Sequence, residues 1–166
     1  MVSPAPAVPR CPPTRGRRPL SALAPRRAAD RRQIPAARRA DPGAIDRLWA
    51  DAVAWRGRID VLVNNAGIYE PADIAWDTAR WAASWQRTLQ VTLPAAAQLC
   101  KAAIAHFAAR GGGIVVNMAS RAAFRGDDPD YAHYAASKAG LVALTRTIAR
   151  HHGRAGVTAF AVAPGF

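Results

Sequence analysis

Apolar residues recur on two different periods from Asp41 onward. Ile45, Leu48, Trp49, Ala52 and Val53 fall at the three- and four-residue intervals of one helix face. Asp41 stands where a side-chain oxygen caps the first free amides, Pro42 where a missing N–H costs nothing, and Gly57 where a helix stops. Residues 59–63 (Ile-Asp-Val-Leu-Val) then form a short β-branched run ended by Asn64-Asn65-Ala66-Gly67, which predicts a strand buried on both faces. Helical spacing returns over residues 78–110, with Leu89, Leu93, Leu99 and Phe107 among the apolar positions, and Pro94 predicts a kink or boundary within it. Gly111-Gly112-Gly113 closes that stretch, and Ile114-Val115-Val116-Asn117-Met118 reads as a second buried strand. A further helix places Leu141, Leu144, Thr145 and Ile148 on one face, and residues 157–163 give a third strand.

Apolar strands alternating with helices imply parallel pairing through right-handed crossovers, so the expected fold class is α/β with a doubly wound parallel sheet. Ligands bind such sheets beyond the carboxyl ends of the strands. Polar and turn residues collect at those ends: Asn64 and Asn65 after the first strand, Ser120 after the second, Pro164 and Gly165 after the third.

Tyr134 and Lys138 stand four residues apart at the start of a helix, so their side chains share a face. An ammonium beside a phenol favours the phenolate and makes the tyrosine a usable general acid. Ser120, ending the preceding strand, offers a hydroxyl to a substrate oxygen. Tyr131 is a rival tyrosine, but the residue four after it is Ala135.

Four segments in series resemble the short-chain dehydrogenase/reductase family: Asn64-Asn65-Ala66-Gly67, Val116-Asn117-Met118-Ala119-Ser120, Tyr134-Ala135-Ala136-Ser137-Lys138-Ala139-Gly140, and Ala163-Pro164-Gly165-Phe166. The resemblance runs from about residue 41 to 166 and looks most like the 3-oxoacyl-carrier-protein reductase branch. It implies a Rossmann-like fold and hydride transfer between NAD or NADP and a small carbonyl or alcohol substrate. Tyr134 is then the general acid/base, Lys138 supports it and holds the nicotinamide ribose, and Ser120 orients the substrate oxygen. Asn65, Ala66 and Gly67 line the cofactor cleft, while Pro164 and Gly165 border the nicotinamide. A homo-oligomer is implied for the folded chain.

The sequence departs from the family pattern in four places. No Thr-Gly-x-x-x-Gly-x-Gly turn occurs, and that turn's amides and helix N-terminus are what hold a pyrophosphate. Arg38 occupies the position of the acid that meets the adenine, which puts the start of the resemblance just before Asp41. Thr92 aligns with the asparagine counted as a fourth catalytic member. Substrate-loop and last-strand segments have no counterpart after Phe166. The domain is therefore expected to be partial, lacking the family's first strands and C-terminal end, and the isolated chain to be inactive or nearly so.

Charge separates the first forty residues from the rest. Of 166 residues and a net charge of +12, this segment holds ten arginines against one acid, together with eight of the thirteen prolines. Proline excludes regular helix and central strand, so the segment is read as disordered. The mixture fits a stretch not selected as protein, such as GC-rich DNA read in another frame, better than a solvated linker or an arm for an acidic surface. No apolar run reaches the roughly 20 residues of a membrane span, and a cytoplasmic protein is expected. Two cysteines, Cys11 and Cys100, make neither a disulfide framework nor a zinc spacing. His151 and His152 suit exposed helix-end carbonyls, the acids at 127, 128 and 130 a solvated turn, and the five tryptophans packing rather than base stacking.

A different class of function is a non-catalytic interaction module whose basic tail binds an acidic partner. Nucleic acid is not the expected partner, because no aromatic residues interleave the arginines. Nucleic-acid binding by the full chain is therefore expected to be absent. Binding that weakens steeply between low and physiological salt, and vanishes on deletion of residues 1–40, reverses this reading.

Overall fold

The computed structural model describes residues 41–165; the sequence reading of residues 1–40 lies outside them. Helix α1 (Pro42–Arg56) begins where the Asp41 carboxylate accepts the Gly43 amide at 2.9 Å and ends at Gly57, whose φ of 74° is the left-handed conformation that glycine adopts without strain. Strand β1 (Val61–Asn64) follows. The long helical stretch divides where proline predicts: α2 (Thr78–Thr92) is capped by the Asp77 side chain, and α3 (Pro94–Ala108) starts after Leu93. Strand β2 (Gly113–Met118), the short helix α4 (Ala122–Arg125), a single 3₁₀ turn (Pro129–Tyr131), helix α5 (Ala132–His152) and strand β3 (Val157–Val162) complete the order. No helix among the described residues is long and apolar enough to cross a membrane.

The strands form a parallel sheet in the order β1-β2-β3, with Val61 opposite Ile114 and Ile114 opposite Thr158. Helices α3 and α5 lie against one face, where Cys100, Ala103, Phe107, Val115, Ile148 and Val157 form the core, with Trp49 of α1 and Leu62 packed around it. Gly113 is required there, because a Cβ at this position would collide with the Phe107 ring. The other face corrects the expectation of strands buried on both sides. Val63 is 55% exposed and Phe160 51%, and Val61, Ile114 and Val162 are exposed as well. Strand side chains alternate between faces, and the helices that pack on the described sheet cover only the face of Leu62, Val115 and Val157.

Polar groups inside the covered layer are joined in a chain. Asn64 Nδ2 donates to Asn117 Oδ1 at 2.8 Å, Asn117 Nδ2 donates to Thr145 Oγ1 at 2.8 Å, and Thr145 Oγ1 donates to the Leu141 carbonyl at 2.7 Å. Cys100 Sγ lies 3.3 Å from the same Asn64 amide, and burial pushes its thiol up to about 11. Asn117→Ala strips both neighbours of a buried partner. It is expected to lower unfolding free energy by about 2–3 kcal/mol, measured as a lower urea midpoint at unchanged m.

His133 is fully buried on α5, 3.5 Å from Ser84 Oγ through Nε2, while its Nδ1 has no hydrogen-bond partner. Burial pushes His133 below the ordinary histidine value of 6.5, against a weaker opposing effect from the Glu70 backbone. His106 is lowered too, first by desolvation and then by Arg110. A histidine with a depressed native pKa takes up its proton more readily in the unfolded chain. Stability is therefore complete above about 6.5 and falls as pH drops toward the native values. Thermal unfolding measured from pH 7.5 downward is expected to show this decline, with a shallower slope in His133→Gln.

Candidate active site

Parallel strands deliver their carboxyl ends to one edge of the sheet, and α5 brings its first turns to the same edge. Asn65, Gly67, Ile68 and Tyr69 follow β1; Met118 ends β2 and Ala119 follows it; Pro164 follows β3; Tyr134 and Lys138 come from α5. Together they line an open, mainly polar cleft of about 260 Å³. Five of the residues singled out from the sequence, Asn65, Gly67, Tyr134, Lys138 and Pro164, thus share one cavity. The other three stand beside it. Ala66 turns into an apolar groove of about 230 Å³ between α1, β1 and α3, whose lining Asn65 also joins. The cleft lining reaches Ala119 and stops before Ser120, whose hydroxyl accepts the Ala122 amide at 3.2 Å. Gly165 adjoins Arg121, with a Cβ there 3.4 Å from Arg121 Cδ.

Lys138 is buried, and its Nζ donates to the Met118 carbonyl at 2.6 Å. This bond aims the ammonium at the carboxyl end of β2, 5.6 Å from the centre of the Tyr134 ring. Desolvation pushes Lys138 below the ordinary lysine range. Gly67 allows the approach of the β1 loop: a Cβ there would sit 3.3 Å from Lys138 Nζ and 3.6 Å from Thr92 Oγ1. The Thr92 hydroxyl, on the same side of Gly67, is buried with no hydrogen-bond partner.

One tyrosine meets Tyr134, and a second stacks on the first. Tyr69 stacks on Tyr131 with ring centres 4.1 Å apart and planes 12° apart, and meets the Tyr134 ring edge to face at 4.8 Å. Tyr131, the rival in sequence, stands in the 3₁₀ turn before α5, stacked on Tyr69, and is not among the residues that line the cleft. Tyr69 was not singled out from the sequence. A lone aromatic two residues after a turn carries no periodic signal, and only the return of the chain at Asp130 brings it beside α5.

The family model for short chain dehydrogenase matches residues 26–166, beginning within the basic segment. The chain is 40% identical over 121 residues to a hydroxy-methyl-oxo-hexahydro-indene-carboxyl-CoA reductase of Mycobacterium tuberculosis, covering 72% of this chain and 45% of that protein. It is 36% identical over 126 residues to the cis-4-hydroxycyclohexanecarboxylate dehydrogenase of Sinomonas cyclohexanicum, covering 76% and 49%. Among solved structures, a 7 alpha-hydroxysteroid dehydrogenase complexed with NADH and 7-oxo glycochenodeoxycholic acid superposes with a TM-score of 0.68 at 25% identity, covering 76% of this chain and 48% of that one. The chain spans about half the length of the relatives it matches. With its parallel sheet, its strand-end cleft and the tyrosine and lysine one turn apart on α5, this chain belongs to the short-chain dehydrogenase family.

Proposed function

We propose that this chain carries the substrate-facing part of an NAD- or NADP-dependent oxidoreductase that interconverts a small ketone or aldehyde and its alcohol. The observation that carries the reading is the shared cleft, in which Tyr134 and the buried Lys138 face the Asn65–Gly67 loop across the carboxyl ends of the strands. Tyr134 exchanges a proton with the substrate oxygen. Lys138, fixed by the Met118 carbonyl, keeps a positive charge near the phenol and has further N–H groups for a ribose hydroxyl. Ser120 uses an oxygen lone pair on the Ala122 amide, which leaves its O–H free to donate to the substrate oxygen.

A nicotinamide cofactor, when bound, supplies or accepts the hydride. The residues present suit its nicotinamide-ribose end. Gly67 leaves backbone space beside Lys138, the Thr92 hydroxyl is unanswered, and Asn65, Ala66, Pro164 and Gly165 border the same edge. Among the described residues no glycine-rich turn opens a helix after a strand, so none of them is assigned to the pyrophosphate. The partner is a small molecule, and the apolar side chains open on the sheet support self-association; a cytoplasmic location belongs to the same proposal.

At most a trace of NADH or NADPH oxidation is expected from the full chain with a simple ketone. Any such trace is abolished by Tyr134→Phe and by Lys138→Met, whereas deletion of residues 1–40 leaves it unchanged. Activity that survives Tyr134→Phe, or no shift of the Gly67 and Lys138 NMR signals on adding nicotinamide mononucleotide, overturns the proposal.

A further inference from the structure

Helices α1, α3 and α5 each lead into a strand through four residues, 57–60, 109–112 and 153–156. The three strands are parallel and adjacent, so these turns gather at the amino ends of the strands, across the sheet from the cleft. They touch one another there. Arg110 donates to the Gly57 carbonyl at 3.2 Å, the Gly113 amide donates to the Gly156 carbonyl at 3.2 Å, and a Cβ on Gly112 would stand 2.5 Å from that carbonyl oxygen. The turns therefore form one continuous strip.

Five exposed arginines stand on the strip: Arg56 and Arg58 at the first turn, Arg110 at the second, Arg150 and Arg154 at the third. Asp60 is the one acid in residues 56–60, 109–112 and 150–156, and it is bonded to Arg58. Among the described residues the other four arginines have no acid partner. Basic residues at helix ends answer the macrodipole, but each helix end carries only about half a negative charge. Three ends offset about one and a half charges, while five arginines less one aspartate leave four. Helix chemistry thus leaves most of the charge unanswered.

The geometry of the strip selects its partner. Each turn is short, and Gly57, Gly111 and Gly153 have no atom within 4 Å of where a Cβ would stand, so bare backbone lies between the arginines. No element protrudes there to enter a duplex groove. Trp55, 40% exposed at the end of α1, already has the Arg56 guanidinium over its ring at 4.6 Å, and one such ring is no stacking platform for bases. Helix α3 neighbours both α1 and α5, and packed helices lie about 8–10 Å apart. An extended chain rises about 3.3 Å per residue, so three residues step from one turn to the next. The guanidinium fork also matches a carboxylate. We propose that this strip binds an extended acidic peptide of a partner protein with carboxylates at every third residue, received by the arginines of the first, second and third turns in order. Binding there leaves the cleft at the other end of the strands open.

The test titrates the isotope-labelled full chain, followed by amide NMR, with a short peptide carrying Glu at every third position, with its Gln counterpart, and with an oligothymidylate of matched charge. The Glu peptide is expected to shift the Gly111, Gly112 and Gly156 signals, and the Gln peptide to leave them in place. Arg110→Gln and Arg154→Gln each weaken binding about threefold, and the double substitution about tenfold. Arg80→Gln, on α2 and away from the strip, leaves it unchanged. Shifts confined to residues 1–40, binding that the Arg110 and Arg154 substitutions do not weaken, or tighter binding of the oligothymidylate at the strip overturns the assignment. Loss of stability in those two variants without loss of peptide binding also overturns it, because the arginines then serve only the helix ends.

Discussion

The carboxyl edge of the sheet is held together by one buried chain of amides and hydroxyls, and the candidate site stands on it. Asn64 and Asn117 are paired across adjacent strands, and Asn117 passes the bond to Thr145 on α5. Three elements therefore meet through directional bonds at a place where apolar packing alone tolerates sliding. Thr145 lies two turns after Lys138 on the same helix, so the interaction that sets the position of α5 against the sheet also sets the lysine's height relative to the end of β2. The Lys138–Met118 bond then completes the alignment with a backbone acceptor.

That arrangement accounts for the division of the strand ends into two kinds of polar residue. The last residue of β1, Asn64, points into the helical layer and is buried, whereas Asn65 is exposed and lines the cleft. Successive residues of an extended chain face opposite sides, so one asparagine of the pair is structural and its neighbour is available to a ligand. The same alternation places Asn117 inside, while the next residue, Met118, lines the cleft.

Covering one sheet face and leaving the other apolar has a physical consequence. Val63, Val116 and Phe160 stand in register across the three strands, and two of the three are more than half exposed. Such a row is a contact surface for further protein and a source of aggregation when left open. The helical layer is by contrast complete enough to bury Phe107, Val115 and Ile148, which is what gives the site a fixed floor.

Local chemistry determined the elements. The cap at Asp41, the stop at Gly57, the break before Pro94 and the apolar face of Leu141, Thr145 and Ile148 depend on neighbours in sequence, and each lies where spacing predicts. The pairing of Tyr134 with Lys138 was legible for the same reason, since four residues make one helical turn. Tertiary structure alone decided which strand faces are covered, because a strand's apolar pattern does not say what packs on it. It alone decided that Lys138 bonds a backbone carbonyl twenty residues away, since every residue carries that acceptor. It also placed Tyr69 against Tyr131 and Tyr134 and left the Thr92 hydroxyl unanswered, because contacts between residues distant in the chain depend on how loops close in space and not on any local pattern.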